Sequence, residues 1–143
     1  MNIIEFFDQN WQLQKWQQGF SKRERTLLTG LSGTAKSLVM ANAYENVADK
    51  YIIVTDSQFH ANELYDELST LLGEEKVFQF FSDDNIYAEF ALASKDRVAY
   101  RLEALNFLLD EKSTGFLVIP FLALRSYLPS PENFLENYLL LTS

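Results

Sequence analysis

Residues 26–37 read "TLLTGLSGTAKS", and their second half, from Gly30 to Ser37, approaches the phosphate-binding loop G-x-x-x-x-G-K-[ST]. Gly30, Lys36 and Ser37 match this motif, whereas Ala35 stands where its second glycine belongs. The residues "TLLT" have strand character, and "AKSLVMANAYENVA" after the loop has helical character. A strand, a glycine loop and a helix in this order form the context that a phosphate loop requires.

The residues of this loop decide whether it can still bind a nucleotide. In a phosphate loop, backbone N–H groups at a helix N-terminus surround the phosphates, a lysine meets the outer phosphates and the next hydroxyl holds magnesium. The methyl group of Ala35 would crowd a bound phosphate or, if its position needs a positive φ, strain the loop. A penalty of about 1.4 kcal/mol lowers affinity only about tenfold, so this change alone does not abolish binding. Because hydrolysis also needs a second acidic motif, which this chain does not convincingly carry, we predict a degenerate phosphate loop at Gly30, Gly33, Ala35, Lys36 and Ser37. We expect no cofactor there and no ATP, although the loop could hold phosphate or sulfate.

Strand and helix patterns alternate along the rest of the chain. Three apolar runs, "KYIIVTD", "KVFQFF" and "GFLVIP", are typical of buried strands and join "TLLTG" as a predicted set of four. Helical spacing follows in "SQFHANELYDELSTLLG", "KDRVAYRLEALNFLLDEK" and "FLALRSYL", and two short amphipathic helices are predicted in the first 20 residues. Because strands that alternate with helices pair in parallel through right-handed crossovers, the predicted class is α/β with a doubly wound, mainly parallel sheet.

Composition excludes several classes of function. The chain of 143 residues has no cysteine and one histidine, His60, which excludes disulfides and cysteine nucleophiles and leaves little for a zinc site or a Ser-His-Asp triad. A net charge of −8 disfavours autonomous DNA binding, although basic residues cluster locally. No signal peptide or membrane-spanning run is visible, so we expect a cytoplasmic protein. The local basic clusters, which we interpret as solvated faces, are Lys22, Arg23 and Arg25, and Lys95, Arg97 and Arg101.

Few other residues are candidates for chemistry. Asp56 ends an apolar strand and could support magnesium, but we favour a role as the N-cap of the next helix. Asp83 and Asp84 follow the third strand and are expected to be solvated, and His60 is expected to be an ordinary helix residue. Among the aromatic residues that could stack on bases, Phe59, Phe78, Phe80 and Phe81 are expected in the core, while Tyr87 and Phe90 lie in a polar loop. No catalytic residue and no metal site are predicted.

Three segments in order resemble the N-terminal region of bacterial transcription-repair coupling factors, the Mfd family. They are "LLTGLSGTAKS", "SDDNIYAEFALASKDRVAYRLEALNFLL" and "VIPFLALRSYLPSPENF", and the resemblance runs from about residue 3 to the end. Its most specific parts are the alanine before Lys36, the "RLEAL" helix from Arg101 to Leu105, and "VIP" at Val118 to Pro120.

This resemblance implies a fold like that of the excision-repair subunit UvrB, here as a phosphate-loop NTPase-like domain (UvrB domain 1a-like) that no longer hydrolyses ATP. It implies a UvrB-like domain over residues 1–128 and the start of a following small domain over residues 129–143, with "NYLLLTS" at best its first strand. The implied partners are UvrA, in the context of the longer protein, and other domains of the same protein. RNA polymerase and DNA would be reached only through regions absent here, including the motor that makes the full-length family protein an ATP-dependent DNA translocase. No UvrA-contact residue is carried over.

Two hypotheses therefore stand side by side. The preferred one is a non-catalytic interaction module of a transcription-coupled repair protein. The alternative is a nucleotide-binding ATPase core fragment with a live phosphate loop, which depends on Lys36, Ser37 and Asp56. A DNA-binding module that uses Arg97 and Arg101 fits the net charge poorly.

Overall fold

A computed structural model describes residues 11–22, 24–81, 94–126 and 128–141. Short 3-10 helices lie at Glu74–Lys76 and Phe121–Arg125. The main elements, in chain order, are α1 (Trp11–Ser21), α2 (Ala35–Asn46), β1 (Lys50–Thr55), α3 (Gln58–Leu72), β2 (Val77–Gln79), α4 (Ser94–Leu109), β3 (Gly115–Pro120) and α5 (Pro131–Leu141).

The sheet has three strands in the order β1-β3-β2, and both pairings are parallel. Leu117 of β3 lies opposite Ile52 of β1 on one side and Phe78 of β2 on the other. The central strand β3 is buried at every position, as expected for a parallel strand with neighbours on both sides. The predicted α/β class with a parallel sheet is therefore confirmed.

Two apolar cores lie on opposite faces of the sheet, because successive side chains of a strand point in opposite directions. Phe116 and Val118 pack against α2 and α3 through Tyr44, Ala61 and Leu68. Helices α4 and α5 cover the other face, where the packed residues are Leu117, Ile119, Ala104, Phe107 and Phe134. Helices thus pack on both faces, as a doubly wound arrangement requires. Burying a large apolar side chain in either core contributes about 1.5–3 kcal/mol.

The cover over β1 is incomplete. Ile52 and Val54 share the face of Leu117 and Ile119, yet their side chains are 57% and 49% exposed. The 3-10 helix after β3 also exposes large apolar side chains, Phe121, Leu122 and Leu124. Large apolar side chains are therefore exposed both on β1 and on the 3-10 helix that follows β3.

The strand expected at "TLLTG" is wrong. Residues 24–29 have no regular secondary structure, and Leu27 is 87% exposed. Strand propensity reflects packing on a sheet more than an intrinsic backbone preference. Within the described parts of the chain, β1 pairs with β3 alone, so these residues have no neighbouring strand to stabilise an extended form.

The strand expected at "NYLLLTS" is also wrong where the structure describes it, because α5 extends from Pro131 to Leu141. The Ser130 hydroxyl accepts a hydrogen bond from the backbone N–H of Asn133 at 3.3 Å, and Pro131 occupies the first helical position, which suits proline. Phe134 is buried with residues of α4 and β3, so the first turn of α5 packs against the same core. The division at residue 128 stays a prediction.

Other expected elements are confirmed. Helix α3 begins after Ser57, whose hydroxyl accepts a hydrogen bond from the His60 N–H, and it ends at Leu72, directly before Gly73 with φ of 95°. The helix expected before residue 20 is α1, which docks on α2 through a 2.5 Å hydrogen bond from Gln17 to buried Asn42. Its partner helix before Asn10 and the loop "SDDNIYAEFALA" lie outside the described residues. No described helix combines the length and apolar character needed to cross a membrane.

Candidate functional site

The predicted phosphate loop lies directly before α2. Gly30 and Gly33 have φ of 84° and 54°, so both occupy the left-handed region that glycine adopts at little cost. A Cβ atom at either position would meet nothing within 4 Å, so the glycines serve the backbone conformation and not a close approach. The turn closes through hydrogen bonds of 3.3 Å from the N–H of Ala35 to Ser32 and from that of Lys36 to Gly33.

Ala35 is the first residue of α2 and is half-buried. A helical residue has φ near −60°, so its position does not require the positive φ that the sequence left open. The methyl group of Ala35 therefore strains no backbone. Lys36, the next residue, has an exposed side chain.

The hydroxyl expected to hold magnesium is already engaged. Ser37 is fully buried, and its Oγ donates a hydrogen bond to Oε2 of Glu67 on α3. Thr34, immediately before α2, donates from Oγ1 to Oε1 of the same carboxylate at 3.1 Å. One side chain from α3 thus joins the end of the loop to the first turn of α2.

Sequence analysis missed Glu67, because its partners are 33 and 30 positions away along the chain. One signal was available. Glu67 lies between Leu64 and Leu71 in helical spacing and next to Leu68, which is fully buried, so a carboxylate interrupts the apolar face of α3. A charged group on such a face needs hydrogen-bond partners, which Thr34 and Ser37 supply.

Asp56 and His60 form a separate pair at the start of α3. His60 Nδ1 lies 2.5 Å from Asp56 Oδ1, with side chains that are 54% and 76% exposed. The hydrogen bond with His60 lowers the pKa of Asp56. The predicted N-cap role of Asp56 is wrong, because Ser57 caps α3. Across the described ranges, no three His, Asp or Glu side chains are grouped to hold a metal ion.

The aromatic residues fall mostly in the core, as predicted. Phe80 is buried, Phe78 stacks on Phe107 with ring centroids 4.5 Å apart, and Phe81 packs against Tyr100 at 5.3 Å. The exception is Phe59, which is 72% exposed, so its predicted core position is wrong. The described residues do not include Asp83, Asp84, Tyr87 or Phe90.

The basic clusters are only partly described. Lys22 and Arg25 are exposed, in agreement with a solvated face. The guanidinium of Arg101 lies 5.3 Å from the centre of the Phe80 ring, a cation–π contact within the fold. Arg23 and the side chains of Lys95 and Arg97 lie outside the description.

Comparison with known proteins gives one consistent result. The chain is 33% identical over 116 residues to the transcription-repair-coupling factor of Bacillus subtilis, a match that covers 80% of this chain and 10% of that protein. Proteins of the same name from two Staphylococcus aureus strains, RF122 and USA300, are 27% and 26% identical over 75% and 79% of the chain. The chain spans about a tenth of the length of these relatives. No family model and no solved structure matches it.

Proposed function

From its relationship to the transcription-repair coupling factors, which these matches confirm, we propose that the chain is a non-catalytic interaction module of such a protein. These matches agree with the resemblance of the sequence to the N-terminal region of that family. In this proposal the module has a UvrB-like, phosphate-loop NTPase-like fold and forms part of the region that recruits UvrA in transcription-coupled nucleotide excision repair.

The observation that carries the non-catalytic part is the bond between Ser37 and Glu67. A working loop needs this hydroxyl for magnesium, and here it is buried and donates to a carboxylate. A nucleotide phosphate brought to the hydroxyl of Ser37 would be repelled by the negative charge of Glu67, which accepts the hydrogen bond from that hydroxyl. Binding a magnesium nucleotide would therefore require the carboxylate to leave both hydroxyls.

The surface of the module supports a role in protein contacts. Large apolar side chains are exposed on β1 and on the 3-10 helix after β3, among them Ile52, Phe121 and Leu124. Exposed apolar patches commonly mark surfaces that another protein or domain covers. We propose that the partners are UvrA, in the context of the longer protein, and other domains of that protein. RNA polymerase and DNA would be engaged by other regions.

A chimera tests the proposal. The matching segment of the Bacillus subtilis factor is replaced by this chain, and co-elution with purified UvrA is measured beside the natural factor and a variant without the segment. We expect the chimera to retain UvrA and the deletion variant to lose affinity. A folded chimera that binds UvrA no better than the deletion variant would contradict the role.

The alternative is an ATPase core fragment with a live loop. It is favoured by Gly30 and Gly33, which keep the backbone conformation of a turn before a helix, and by the exposed side chain of Lys36. ATP hydrolysis by the purified chain separates the two functions. The interaction module predicts no turnover above background, whereas turnover that disappears in Lys36→Ala would establish the alternative.

A further inference from the structure

The carboxylate of Glu67 bridges the side chains of Thr34 and Ser37 at the start of α2. Both of its oxygen atoms are engaged, one by the hydroxyl of Thr34 and the other by that of Ser37. The two donors belong to the end of the loop and to the first turn of α2, while Glu67 belongs to α3. The contact therefore ties two helices and the loop together through a single side chain.

The usual side-chain capping hydrogen bond is missing at the start of α2. Thr34 stands at the N-cap of α2 in a helical conformation, and its side chain makes no hydrogen bond to a backbone N–H of its own helix. A threonine N-cap normally accepts such a bond. Here the hydroxyl instead donates to Glu67 on α3, so the side chain of the N-cap residue is engaged by a neighbouring helix.

We propose that Glu67 is an intramolecular latch, a built-in carboxylate that holds residues 30–37 in place and closes this loop to external anions. In this proposal the side chain of Glu67 on α3 keeps the loop closed, and the methyl group of Ala35 does not. It deepens the non-catalytic part of the proposed function, which rests on the same bond between Ser37 and Glu67, and it does not depend on the interaction with a partner.

Burial makes the latch dependent on its partners. Ser37 is fully buried and Glu67 is half-buried, so a hydroxyl or carboxylate that loses its partner here is not fully compensated by water. Glutamine at position 67 keeps the size of the side chain but removes the charge, and its single carbonyl oxygen replaces two carboxylate oxygens as acceptor. Loss of a hydrogen bond to a charged group corresponds to about a tenfold change or more in an opening equilibrium.

The test is amide hydrogen exchange in Glu67→Gln at Ala35, Lys36 and Leu38, whose N–H groups are hydrogen-bonded at the end of the loop and the start of α2, with Glu63→Gln as the matched control. Glu63 lies one turn earlier on α3 and is exposed, so the control makes the same chemical change outside the latch. We expect amide exchange in the loop to be about ten times faster in Glu67→Gln than in the unsubstituted chain, and to be unchanged in Glu63→Gln. Equal rates in the two variants would overturn the proposal.

Two further variants separate the latch from a general loss of stability. Thr34→Val removes the exposed donor alone, so it should accelerate loop exchange without changing exchange in β3, even if Glu67→Gln fails to fold. In a variant that combines Ser37→Ala with Glu67→Gln, the free-energy change calculated from loop exchange should be smaller than the sum of the changes in the two single variants, since both substitutions break the same bond. Additive effects, or acceleration spread equally over loop and sheet, would refute a latch. These variants are read out by amide exchange, whereas the interaction role is read out by co-elution with UvrA, so failure of the latch is distinguishable from failure of the proposed UvrA-binding role.

Discussion

Replacing Ala35 with glycine completes the phosphate-loop motif in the sequence, yet we expect it to destabilise the protein without creating a nucleotide site. Ala35 is the first residue of α2, so glycine there should cost at most about 0.5–1 kcal/mol, the amount by which it is less stable than alanine inside a helix. For a domain of this size, such a loss lowers Tm by about 1–4 °C. The carboxylate of Glu67 still binds both hydroxyls in this variant, so magnesium-ATP gains no place to bind.

Thermal unfolding followed by circular dichroism measures the first effect, and titration calorimetry with magnesium-ATP measures the second. Ala99→Gly on α4 is the matched control, since Ala99 is also a helical alanine, with an exposed side chain far from the loop in sequence. Both variants should have a lower Tm than the natural chain, and neither should show a saturable heat of binding when magnesium-ATP is added. If Ala35→Gly bound magnesium-ATP at micromolar concentration and lost this binding when Lys36→Ala was added, the reasoning would be refuted. The methyl group of Ala35 would then be the main barrier to nucleotide binding in the natural chain.

Three further predictions concern the cores and the Asp56–His60 pair. Leu117→Ala should reduce the free energy of unfolding in urea by about 2–5 kcal/mol, because Leu117 is fully buried, whereas Ile52→Ala at its half-exposed neighbour should cost much less. Phe134→Ala should cost about 3–5 kcal/mol in the same assay if α5 belongs to the core, and a loss under 1 kcal/mol would argue against it. His60 lowers the pKa of Asp56 in the folded state, so the pair stabilises the protein above the unfolded pKa of Asp56, and this contribution is lost as pH falls through the folded value. An NMR titration should therefore give Asp56 a higher pKa in His60→Gln, and an unchanged value would contradict the contact.

Sequence periodicity was sufficient for the parts of the fold that carry strong patterns. Helix α3 was predicted with its apolar face and its glycine end, and the run "GFLVIP" was recognised as a buried strand. These elements combine local preference with burial, so a pattern of single residues is enough to identify them. The resemblance to transcription-repair coupling factors was likewise visible in short motifs before any comparison.

The wrong predictions share a physical cause. "TLLTG" and "NYLLLTS" are both short apolar runs, and such runs do not distinguish strand from helix or loop without knowledge of their neighbours. For α5 the signal was present in Ser130 and Pro131, a capping serine followed by a proline at the first helical position. For residues 24–29, pairing depends on a neighbouring strand, which local sequence does not report.

The candidate site shows the same limit. The loop residues were identified from the motif, and Gly30 and Gly33 adopt the positive φ that the motif suggests. The side chain that governs the proposed state of the loop, Glu67, comes from another helix and belongs to no motif. Its contact with Ser37 depends on how α2 and α3 pack, which is a property of the tertiary structure.

Titration calorimetry of the natural chain with magnesium-ATP tests the central claim most directly. If the chain is an interaction module whose loop is closed by Glu67, no saturable heat should appear up to millimolar nucleotide. Micromolar binding by the natural chain, lost in Lys36→Ala, would show a live phosphate loop and contradict the account.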